Sequence, residues 1–384
     1  MHISPSHNIL RLLMAALALL PHLCTICAGE PSFGVLNMAD GLSHYSVMAT
    51  YQDERGQLWI GTRGGLDVYD GTNIRHYRRV PGDNTSPMNN YVRSITGDRD
   101  GHVYVLNLRG ISIYDAATDR FTNFEARQAA AMAYGDGRLY YASGRRIGAI
   151  TSDGLTAPVN ITGIPSDISV LQVVDSVLYI GTVEHGLLSH DLDGGRITTV
   201  VPGVNVTCIY RDYDGSVWVG THADGLFRVD PSRRRVQYTH NPADDATVSS
   251  NFIRSVCRDS RGRLWVGTLE GLSRLDAGGR RFDNYLTGAD RPYSTTAERL
   301  DHSSVWSLTC DVQGTVWIGT YFNGLLSYNP ENDIFDKFGP DSAPGRALSF
   351  PVAGEMAEDA DGMLWIATEG GGINRLNPAT GIVD

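Results

Sequence analysis

The segment LWIGT at residues 58–62 decides the fold, because close copies of it return along the whole chain. The interval between the central aromatic residues runs from 36 residues (Tyr104 to Tyr140) to 52 residues (Trp265 to Trp317). A repeat of this length is the signature of a repeat architecture. The other copies are VYVLN at 103–107, LYYAS at 139–143, LYIGT at 178–182, VWVGT at 217–221, LWVGT at 264–268, VWIGT at 316–320 and LWIAT at 364–368.

The residues around each copy follow one pattern. A polar turn that ends in glycine precedes the copy, as in Asp212-Tyr213-Asp214-Gly215, and a further short strand follows it, as in GLDVYD from Gly65. Asp and Gly suit hairpin turns because they tolerate positive φ. Short strands separated by turn signals predict an all-β chain. Four antiparallel strands in each repeat predict a β-propeller of seven or eight blades, with the Trp or Tyr of each motif in the wedge between neighbouring blades.

Residues 1–29 form a segment that we expect to be a secretory signal peptide. Arg11 precedes the uncharged apolar run Leu12 to Leu20, and the small residues Ala28 and Gly29 follow it. A weakly basic start, a short apolar core and a small-residue exit are typical of export, with a buried first helix as the alternative. The chain is therefore expected to be exported and periplasmic. Residues 30–384 are expected to form the propeller, with eight repeat motifs around 53–70, 98–115, 136–150, 175–191, 212–230, 259–276, 311–329 and 359–377.

The closure of the ring has two interpretations. The last motif stops after INRLN at 373–377, which leaves little room for a fourth strand before Asp384. The apolar segment Phe33 to Leu36 is expected to complete this last blade, since an open edge strand invites aggregation. Eight motifs would then form one ring. In the alternative, seven motifs form the ring and the eighth begins something that the chain does not finish.

The charge of the chain restricts its partners. The formal net charge is −11, whereas nucleic acids and anionic lipids require clustered Lys and Arg. We therefore expect no nucleic-acid partner.

Three cysteines follow the signal segment: Cys208, Cys257 and Cys310, each in an apolar strand pattern. They are expected to be buried small hydrophobic residues, with one disulfide as the less favoured option.

Motifs of the common enzyme classes are absent from the sequence. It contains no G-x-S-x-G, no H-E-x-x-H, no phosphate-binding Gly loop and no strict G-x-G-x-x-G. The Asp-x-Asp-Gly segments could be read as calcium loops, but they lack the downstream Glu and occur where every blade needs a tight turn. We therefore expect no catalytic residue, no metal and no cofactor. An enzyme that acts on glycans, a lyase or a hydrolase, is kept as the alternative because sequence spacing cannot reveal an inward pair of carboxylates. A protein-interaction scaffold is a third option.

A ligand would bind at one face of the propeller. The strand order places the loops after the aromatic strand and the segments that lead into the innermost strands around the same central funnel. Tyr321 and Phe322 put two aromatic rings beside Asn323, which together can stack on a sugar ring and bond its hydroxyl groups. Packing of these rings against the preceding loop, Leu286 to His302, is an equally good interpretation. The predicted ligand-binding face comprises Arg63, Arg109, Glu184, His185, His222, Glu270, Trp306, Tyr321, Phe322, Asn323 and Glu369, with Asn90, Tyr91, Asn251, Phe252 and Ser304 beside them.

The units resemble the two-component regulator propeller repeats of hybrid sensor kinases from gut Bacteroidetes and their relatives. The resemblance runs from about Phe33 to Asn377, and its most specific part is MADGLSHYSVMATYQDERGQLWIGTRGGLDVYDG at 38–71. It implies a periplasmic sensor of two successive seven-bladed propellers. A Tyr-rich immunoglobulin-like domain, a membrane span, a histidine kinase, and often receiver and DNA-binding domains would follow. Such receptors typically sense oligosaccharides and switch on polysaccharide-utilisation genes.

This sequence departs from that plan, because it ends after eight repeats without a kinase region. It is therefore expected to be a truncated product, a fragment or a stand-alone propeller, with membrane contact only through missing downstream segments. We expect the extracytoplasmic sensor of a two-component signalling receptor, which binds a small molecule or an oligosaccharide and makes no bonds itself. The related sensors pair to pass signals across the membrane, which points to a homodimer.

Overall fold

The computed structural model describes residues 33–98, 100–157, 159–287, 304–321, 324–329, 345–350, 353–359, 361–368, 370–377, 380 and 382–384. Its strands form eight antiparallel sheets of four strands each, and one short 3-10 helix spans Met38–Asp40. The predicted all-β propeller is confirmed.

The first four blades follow one another along the chain. After β1 (Gly34–Leu36), their strands are β2 (Val47–Gln52), β3 (Leu58–Thr62), β4 (Leu66–Tyr69) and β5 (Ile74–Tyr77) in blade 1; β6 (Val92–Gly97), β7 (His102–Asn107), β8 (Gly110–Asp115) and β9 (Arg120–Glu125) in blade 2; β10 (Ala129–Gly135), β11 (Arg138–Ser143), β12 (Arg146–Ile150) and β13 (Thr156–Ala157) in blade 3; and β14 (Ile168–Val174), β15 (Val177–Thr182), β16 (Gly186–Asp191) and β17 (Thr198–Pro202) in blade 4.

Four further sheets follow in the same order. Their strands are β18 (Val206–Arg211), β19 (Val217–Thr221), β20 (Leu226–Val229) and β21 (Arg235–Tyr238) in blade 5; β22 (Ile253–Arg258), β23 (Leu264–Thr268), β24 (Gly271–Leu275) and β25 (Phe282–Tyr285) in blade 6; β26 (Val305–Cys310), β27 (Val316–Thr320) and β28 (Leu325–Tyr328), joined by β1, in blade 7; and β29 (Ala353–Glu358), β30 (Leu364–Thr368), β31 (Gly372–Asn377) and β32 (Ile382–Val383) in the eighth sheet.

Seven blades close into a ring within residues 33–329, which form one compact unit. The first strand of each blade contacts the first strand of the next one, and β26 of blade 7 contacts β2 of blade 1. These seven strands are the innermost strands of the propeller, and every one of them begins at the same end of the ring.

The strand β1 closes the ring by completing blade 7. It pairs antiparallel with β28, with Gly34 opposite Ser327 and Leu36 opposite Leu325. The centre of the Phe33 ring lies 5.8 Å from the centre of the Tyr328 ring. The expectation that this segment completes the last repeat is therefore wrong, because the segment pairs with the outer edge of β28, which would otherwise be unpaired.

The eighth sheet belongs to a separate compact unit within residues 330–384. Its fourth strand is the two-residue β32, in which Val383 pairs with Leu376, so the few residues before Asp384 suffice for a fourth strand. Leu348, Ile366, Leu376 and Val383 form its own small core.

The aromatic residue of the motif fills the wedge between blades, as predicted. Trp59 is fully buried and packs with Val92 and Tyr114 of the next blade. Its indole Nε1 donates a hydrogen bond of 2.9 Å to Asp53, the first residue of the preceding turn. Trp218 makes the same bond to Asp212 at 2.9 Å. The first Asp of each such turn thus holds the tryptophan six residues later.

The glycine of the motif lets neighbouring blades approach closely. A Cβ atom at Gly267 of blade 6 would lie only 2.6 Å from Cγ1 of Val305, the first residue of the innermost strand of blade 7. Val305 itself is fully buried. A larger residue than glycine would push the two blades apart.

Among the described residues, Cys208, Cys257 and Cys310 have free thiols and lie in or against the blade cores. Cys257 is buried, whereas Cys208 and Cys310 are half-buried. Burial raises the pKa of Cys208 to about 12 and that of Cys310 to about 11. Such thiols carry little thiolate and are poor nucleophiles.

Candidate functional site

Two kinds of loop meet at one end of the ring. In several blades the residue after the second strand donates its backbone N–H to the carbonyl of the residue just before the innermost strand. These bonds join Arg63 to Ser46 (3.3 Å), Val183 to Asp167 (3.0 Å), His222 to Asn205 (2.9 Å), Leu269 to Phe252 (3.0 Å) and Tyr321 to Ser304 (3.1 Å). Side chains from the two loops are thereby brought close to one another.

A β-bulge lies at the start of the innermost strand in every blade of the ring. The register shifts between Ile253 and Ser255 in β22, and between Val305 and Ser307 in β26. The extra residues are therefore Arg254 and Trp306. Because a bulge leaves one residue out of the regular ladder, it re-aims that residue's side chain.

Seven side chains from blades 5, 6, 7, 1 and 2 form a continuous row of rings and guanidinium groups, which we call the aromatic–arginine row. In order, the row consists of His222, Phe252, Arg254, Trp306, Tyr321, Arg63 and Tyr91. Its members come from blades that are adjacent in the closed ring, although they are far apart in sequence.

The first half of the row is centred on Arg254. Its guanidinium carbon lies 4.3 Å from the centre of the Phe252 ring and 4.0 Å from that of Trp306. The ring of His222 follows Phe252 at 4.3 Å. A cation between two aromatic faces is attracted by both of them, and the attraction is larger away from water.

The second half of the row is centred on Arg63. The Trp306 and Tyr321 rings stack with centres 5.6 Å apart and planes only 18° apart. The guanidinium carbon of Arg63 lies 4.5 Å from the Tyr321 ring and 5.6 Å from the Tyr91 ring. The row therefore places one arginine on each side of the Trp306–Tyr321 pair.

The row contains polar atoms that have no hydrogen-bond partner. Among the described residues, Nε of Arg63, Nε of Arg254, Nε1 of Trp306 and the hydroxyl of neighbouring Ser304 are buried without one. A buried donor that stays unpaired costs about 1–3 kcal/mol, so native proteins satisfy nearly all of them. Four such atoms lie close together, three of them on the half-buried side chains of Arg63, Arg254 and Trp306.

Two residues beside the row belong to the segment that leads into β2. Nδ1 of His44 accepts a hydrogen bond of 2.9 Å from the backbone N–H of Ser46. The Ser46 hydroxyl donates to the carbonyl of Tyr321, which ties blade 1 to blade 7 at this point. Burial, and then the positive charge of Arg63, lower the pKa of His44 below its usual 6.5.

The structure brings together part of the face predicted from the sequence. Among the described contacts, the row includes Arg63, Tyr91, His222, Phe252, Trp306 and Tyr321. Asn90 and Asn251 support the loops instead, because their side-chain oxygens accept the backbone N–H of Arg79 (2.7 Å) and of His240 (2.8 Å). Phe322, Asn323 and Glu369 lie outside the described residues. The remaining predicted residues, found after the second strands of blades 2, 4 and 6 but in none of the described contacts of the row, are Arg109, Glu184, His185 and Glu270.

Arg254 is the member of the row that sequence reasoning missed. It lies inside a strand, where a charged residue is usually taken for a solvated position. The segments Ile253-Arg254-Ser255 and Val305-Trp306-Ser307 each start an innermost strand, so Arg254 occupies the same repeat position as Trp306. This equivalence is the sequence signal that could have identified Arg254 as a member of the row.

No group of three or more His, Cys, Asp or Glu residues in the described ranges is placed to hold a metal ion. None of the helices within those ranges combines the length and the apolar character needed to cross a bilayer.

Comparison with known proteins agrees with the repeats. The family model of the two component regulator propeller matches residues 41–64, 201–223, 247–270 and 299–322, in the first, fifth, sixth and seventh repeats. Histidine kinase P4 of Formosa agariphila is 53% identical over 47 residues, which are 12% of this chain and 3% of that protein. The resemblance inferred from the motifs is thus confirmed.

Solved structures share the fold. The extracellular domain of the hybrid two component system BT3049 from B. thetaiotaomicron matches with a TM-score of 0.66 at 24% identity, over 92% of this chain and 49% of that chain. The corresponding domain of BT4673 matches with a TM-score of 0.64 at 20% identity, over 92% and 53% of the two chains. Virginiamycin B lyase from Staphylococcus aureus matches with a TM-score of 0.59 at 14% identity, over 78% and 99%.

Identities this low show the fold alone, and the chain spans about half the length of the two B. thetaiotaomicron domains. The recurrent motifs, the closed ring of seven blades and the four matched segments agree with one another. The chain is a β-propeller, and four of its segments match the two component regulator propeller model.

Proposed function

We propose that this chain is the extracytoplasmic ligand-binding part of a two-component signalling receptor and that it binds an oligosaccharide at the aromatic–arginine row. The repeat family and the fold shared with extracellular domains of two component systems support the receptor role. The signal peptide predicted for residues 1–29 supports an exported, periplasmic location, although it lies outside the described residues.

The single observation that carries the ligand proposal is the combination of rings and unpaired donors in one row. Oligosaccharides present apolar C–H surfaces and many hydroxyl oxygens. Aromatic rings contact the C–H surfaces, and N–H donors bind the hydroxyl oxygens. The guanidinium of Arg254 lies over the Trp306 ring, and Nε of Arg254 and Nε1 of Trp306 have no acceptor among the described residues.

Binding without turnover fits the chemistry of the row better than glycan cleavage. A glycosidase needs two carboxylates that flank the scissile bond, and a lyase needs a positioned base. The described contacts of the row are made by rings and guanidinium groups. The imidazole of His222 packs against the Phe252 ring, and Nδ1 of the neighbouring His44 accepts the backbone N–H of Ser46.

A thermal-shift screen of the purified chain against oligosaccharides of plant, host and microbial origin tests this proposal. A ligand that binds only the folded state raises the melting temperature by mass action. Tyr321→Ala should abolish the shift because it removes the ring between Trp306 and Arg63. Tyr213→Ala is the matched control, because Tyr213 is 87% exposed in the turn between β18 and β19, at the other end of the ring.

Two results would overturn the proposal. One is a shift that Tyr321→Ala leaves unchanged, which would place the ligand elsewhere. The other is chromatographic evidence that the chain cleaves the ligand during incubation, which would make it an enzyme.

A further inference from the structure

A second arginine of the chain, Arg263, can be compared with Arg254. Arg263 also lies near aromatic rings, with its guanidinium carbon 5.7 Å from the Trp265 ring and 5.4 Å from the Tyr328 ring. It is in addition paired with Asp259, whose Oδ2 accepts from its Nε at 2.7 Å. Arg263 is therefore a structural arginine whose charge is offset within the protein.

Among the described residues, Arg254 has aromatic neighbours but no carboxylate partner. No Asp or Glu of the described residues forms an ion pair with it, and no described acceptor takes its Nε–H. Burial lowers the pKa of Arg254 to about 10. For Arg263, burial also lowers the pKa, but the bonds to Asp259 outweigh burial and the pKa is raised.

Arg63 repeats the arrangement of Arg254 at the other end of the Trp306–Tyr321 pair. Its Nε is buried and finds no acceptor among the described residues, and its guanidinium lies over Tyr321 and Tyr91. A chain with a net charge of −11 has many carboxylates that could have been placed beside these two arginines. The described residues place none within ion-pair distance of either one.

The shape of the guanidinium decides what such a group can bind. All five N–H donors lie in its plane, so rings stacked on its faces leave the donors pointing sideways. A flat, charged acceptor such as a carboxylate, or a tetrahedral one such as a sulfate ester, fits these donors and supplies the missing charge. A neutral hydroxyl supplies only one weaker bond and no charge.

We infer that the oligosaccharide bound at the row is anionic, with acid groups on two different sugar units placed against Arg254 and Arg63. This inference rests on the function proposed above. The Trp306–Tyr321 pair separates the two guanidinium groups, so one acid group cannot satisfy both. The same spacing means that a single acidic sugar should bind more weakly than a tri- or tetrasaccharide.

Calorimetric titration of the purified chain tests the inference. The probes are tri- and tetrasaccharides of galacturonate, of mannuronate and guluronate, and of glucuronate, each beside its fully methyl-esterified form. Sulfated neutral oligosaccharides, each beside its desulfated form, distinguish sulfate from carboxylate as the anionic group. Esterification and desulfation remove the charge and leave the sugars unchanged.

The expected result is binding of at least one anionic oligosaccharide, with at least about tenfold weaker binding when its charge is removed. Arg254→Gln and Arg63→Gln should each weaken it by a similar factor. Arg235→Gln, which changes an exposed arginine on the outermost strand β21, should leave the affinity within about twofold.

The outcomes separate the inference from the function on which it rests. Equal affinity for the charged and uncharged forms would overturn the inference and leave the oligosaccharide function intact. Equal affinity of Arg254→Gln and the unaltered chain would do the same, provided that the melting temperature shows the variant to be folded. No binding of any glycan, neutral or charged, would overturn both.

Discussion

The guanidinium of Arg254 lies 4.0 Å from the centre of the Trp306 ring, although the two residues belong to different blades. Both occupy the same place in their repeats, the bulged second residue of an innermost strand. Equivalent positions in adjacent blades of a closed ring are neighbours in space. Arg254 and Trp306 therefore meet because they occupy the same repeat position in adjacent blades.

The first prediction concerns the bond between the turn and the tryptophan. Asp259 is buried and accepts hydrogen bonds from Nε1 of Trp265 at 2.8 Å and from Nε of Arg263 at 2.7 Å. Asp259→Ala leaves both donors without a partner and should lower the free energy of unfolding by about 3 kcal/mol. Urea unfolding, followed by tryptophan fluorescence, measures the change.

Asp70→Ala is the control for that substitution. Asp70 is exposed and accepts the backbone N–H groups of Thr72 and Asn73. Its removal should cost about 1 kcal/mol or less. Equal losses for the two variants would show that the buried bond to Trp265 does not stabilise the blade.

A second prediction concerns the close contact between blades 6 and 7. Gly267→Ala places a methyl group against Val305 and should destabilise the ring by about 1–3 kcal/mol. The double variant Gly267→Ala/Val305→Ala should lose less than the sum of the two single losses, because the smaller residue makes room for the new methyl group. Urea unfolding of all three variants gives the coupling free energy between the two positions. Strictly additive losses in the free energy of unfolding would show that residues 267 and 305 do not contact each other.

Closure of the ring gives a third prediction. Phe33 is half-buried, and its ring contacts the rings of Tyr285 at 6.3 Å and Tyr328 at 5.8 Å. Phe33→Ala should weaken the pairing of β1 with β28 and lower the free energy of unfolding by about 2 kcal/mol. Val236→Ala, at a 49% exposed position of β21, should change it by about 0.5 kcal/mol or less. The closure described here would be incorrect if Phe33→Ala cost no more than the control.

The pH dependence of stability depends partly on His44. Its pKa is lower in the folded chain than the usual 6.5, because of burial and then because of Arg63, so the folded state binds fewer protons than the unfolded state. The associated stability is fully present above pH 6.5 and is lost as the pH falls below that value. Protonation also removes the Nδ1 acceptor for the N–H of Ser46.

His44→Asn keeps a hydrogen-bond acceptor and removes the titrating group. The free energy of unfolding of this variant should therefore fall less than that of the unaltered chain between about pH 7.5 and about pH 5.5. Urea unfolding at both pH values measures the two differences. Identical differences would mean that His44 titrates normally in the folded chain.

The sequence predicts the propeller well because each motif residue has one structural task. Trp59 fills a wedge, Asp53 bonds its indole and Gly267 admits the neighbouring blade, so the pattern must return in each blade. The partner of Phe33–Leu36 could not be predicted in the same way. It depends on which open strand edge the segment reaches, and two repeats offer similar edges.

The site was predicted only in part for a related reason. Topology places Arg63, Trp306 and Tyr321 at one end of the ring, and the sequence reveals the topology. The direction of the Arg254 side chain depends on a β-bulge, which is a shift of register between two strands. The residue types in this segment do not predict that shift. That none of the described residues places a carboxylate beside Arg254 is visible only in three dimensions.

The most direct test of the binding row is the indole N–H spectrum of the chain, which contains six tryptophans. Nε1 of Trp59, Trp218, Trp265, Trp317 and Trp365 donates to an Asp at 2.7–2.9 Å, whereas Nε1 of Trp306 has no acceptor among the described residues. Two-dimensional ¹H–¹⁵N spectra with and without a bound oligosaccharide, assigned by Trp306→Phe, report each indole separately. Binding should move the Trp306 resonance most and leave the resonances of Trp59, Trp218 and Trp265 in place. An oligosaccharide that saturates the chain without moving the Trp306 resonance would contradict the assignment of the site.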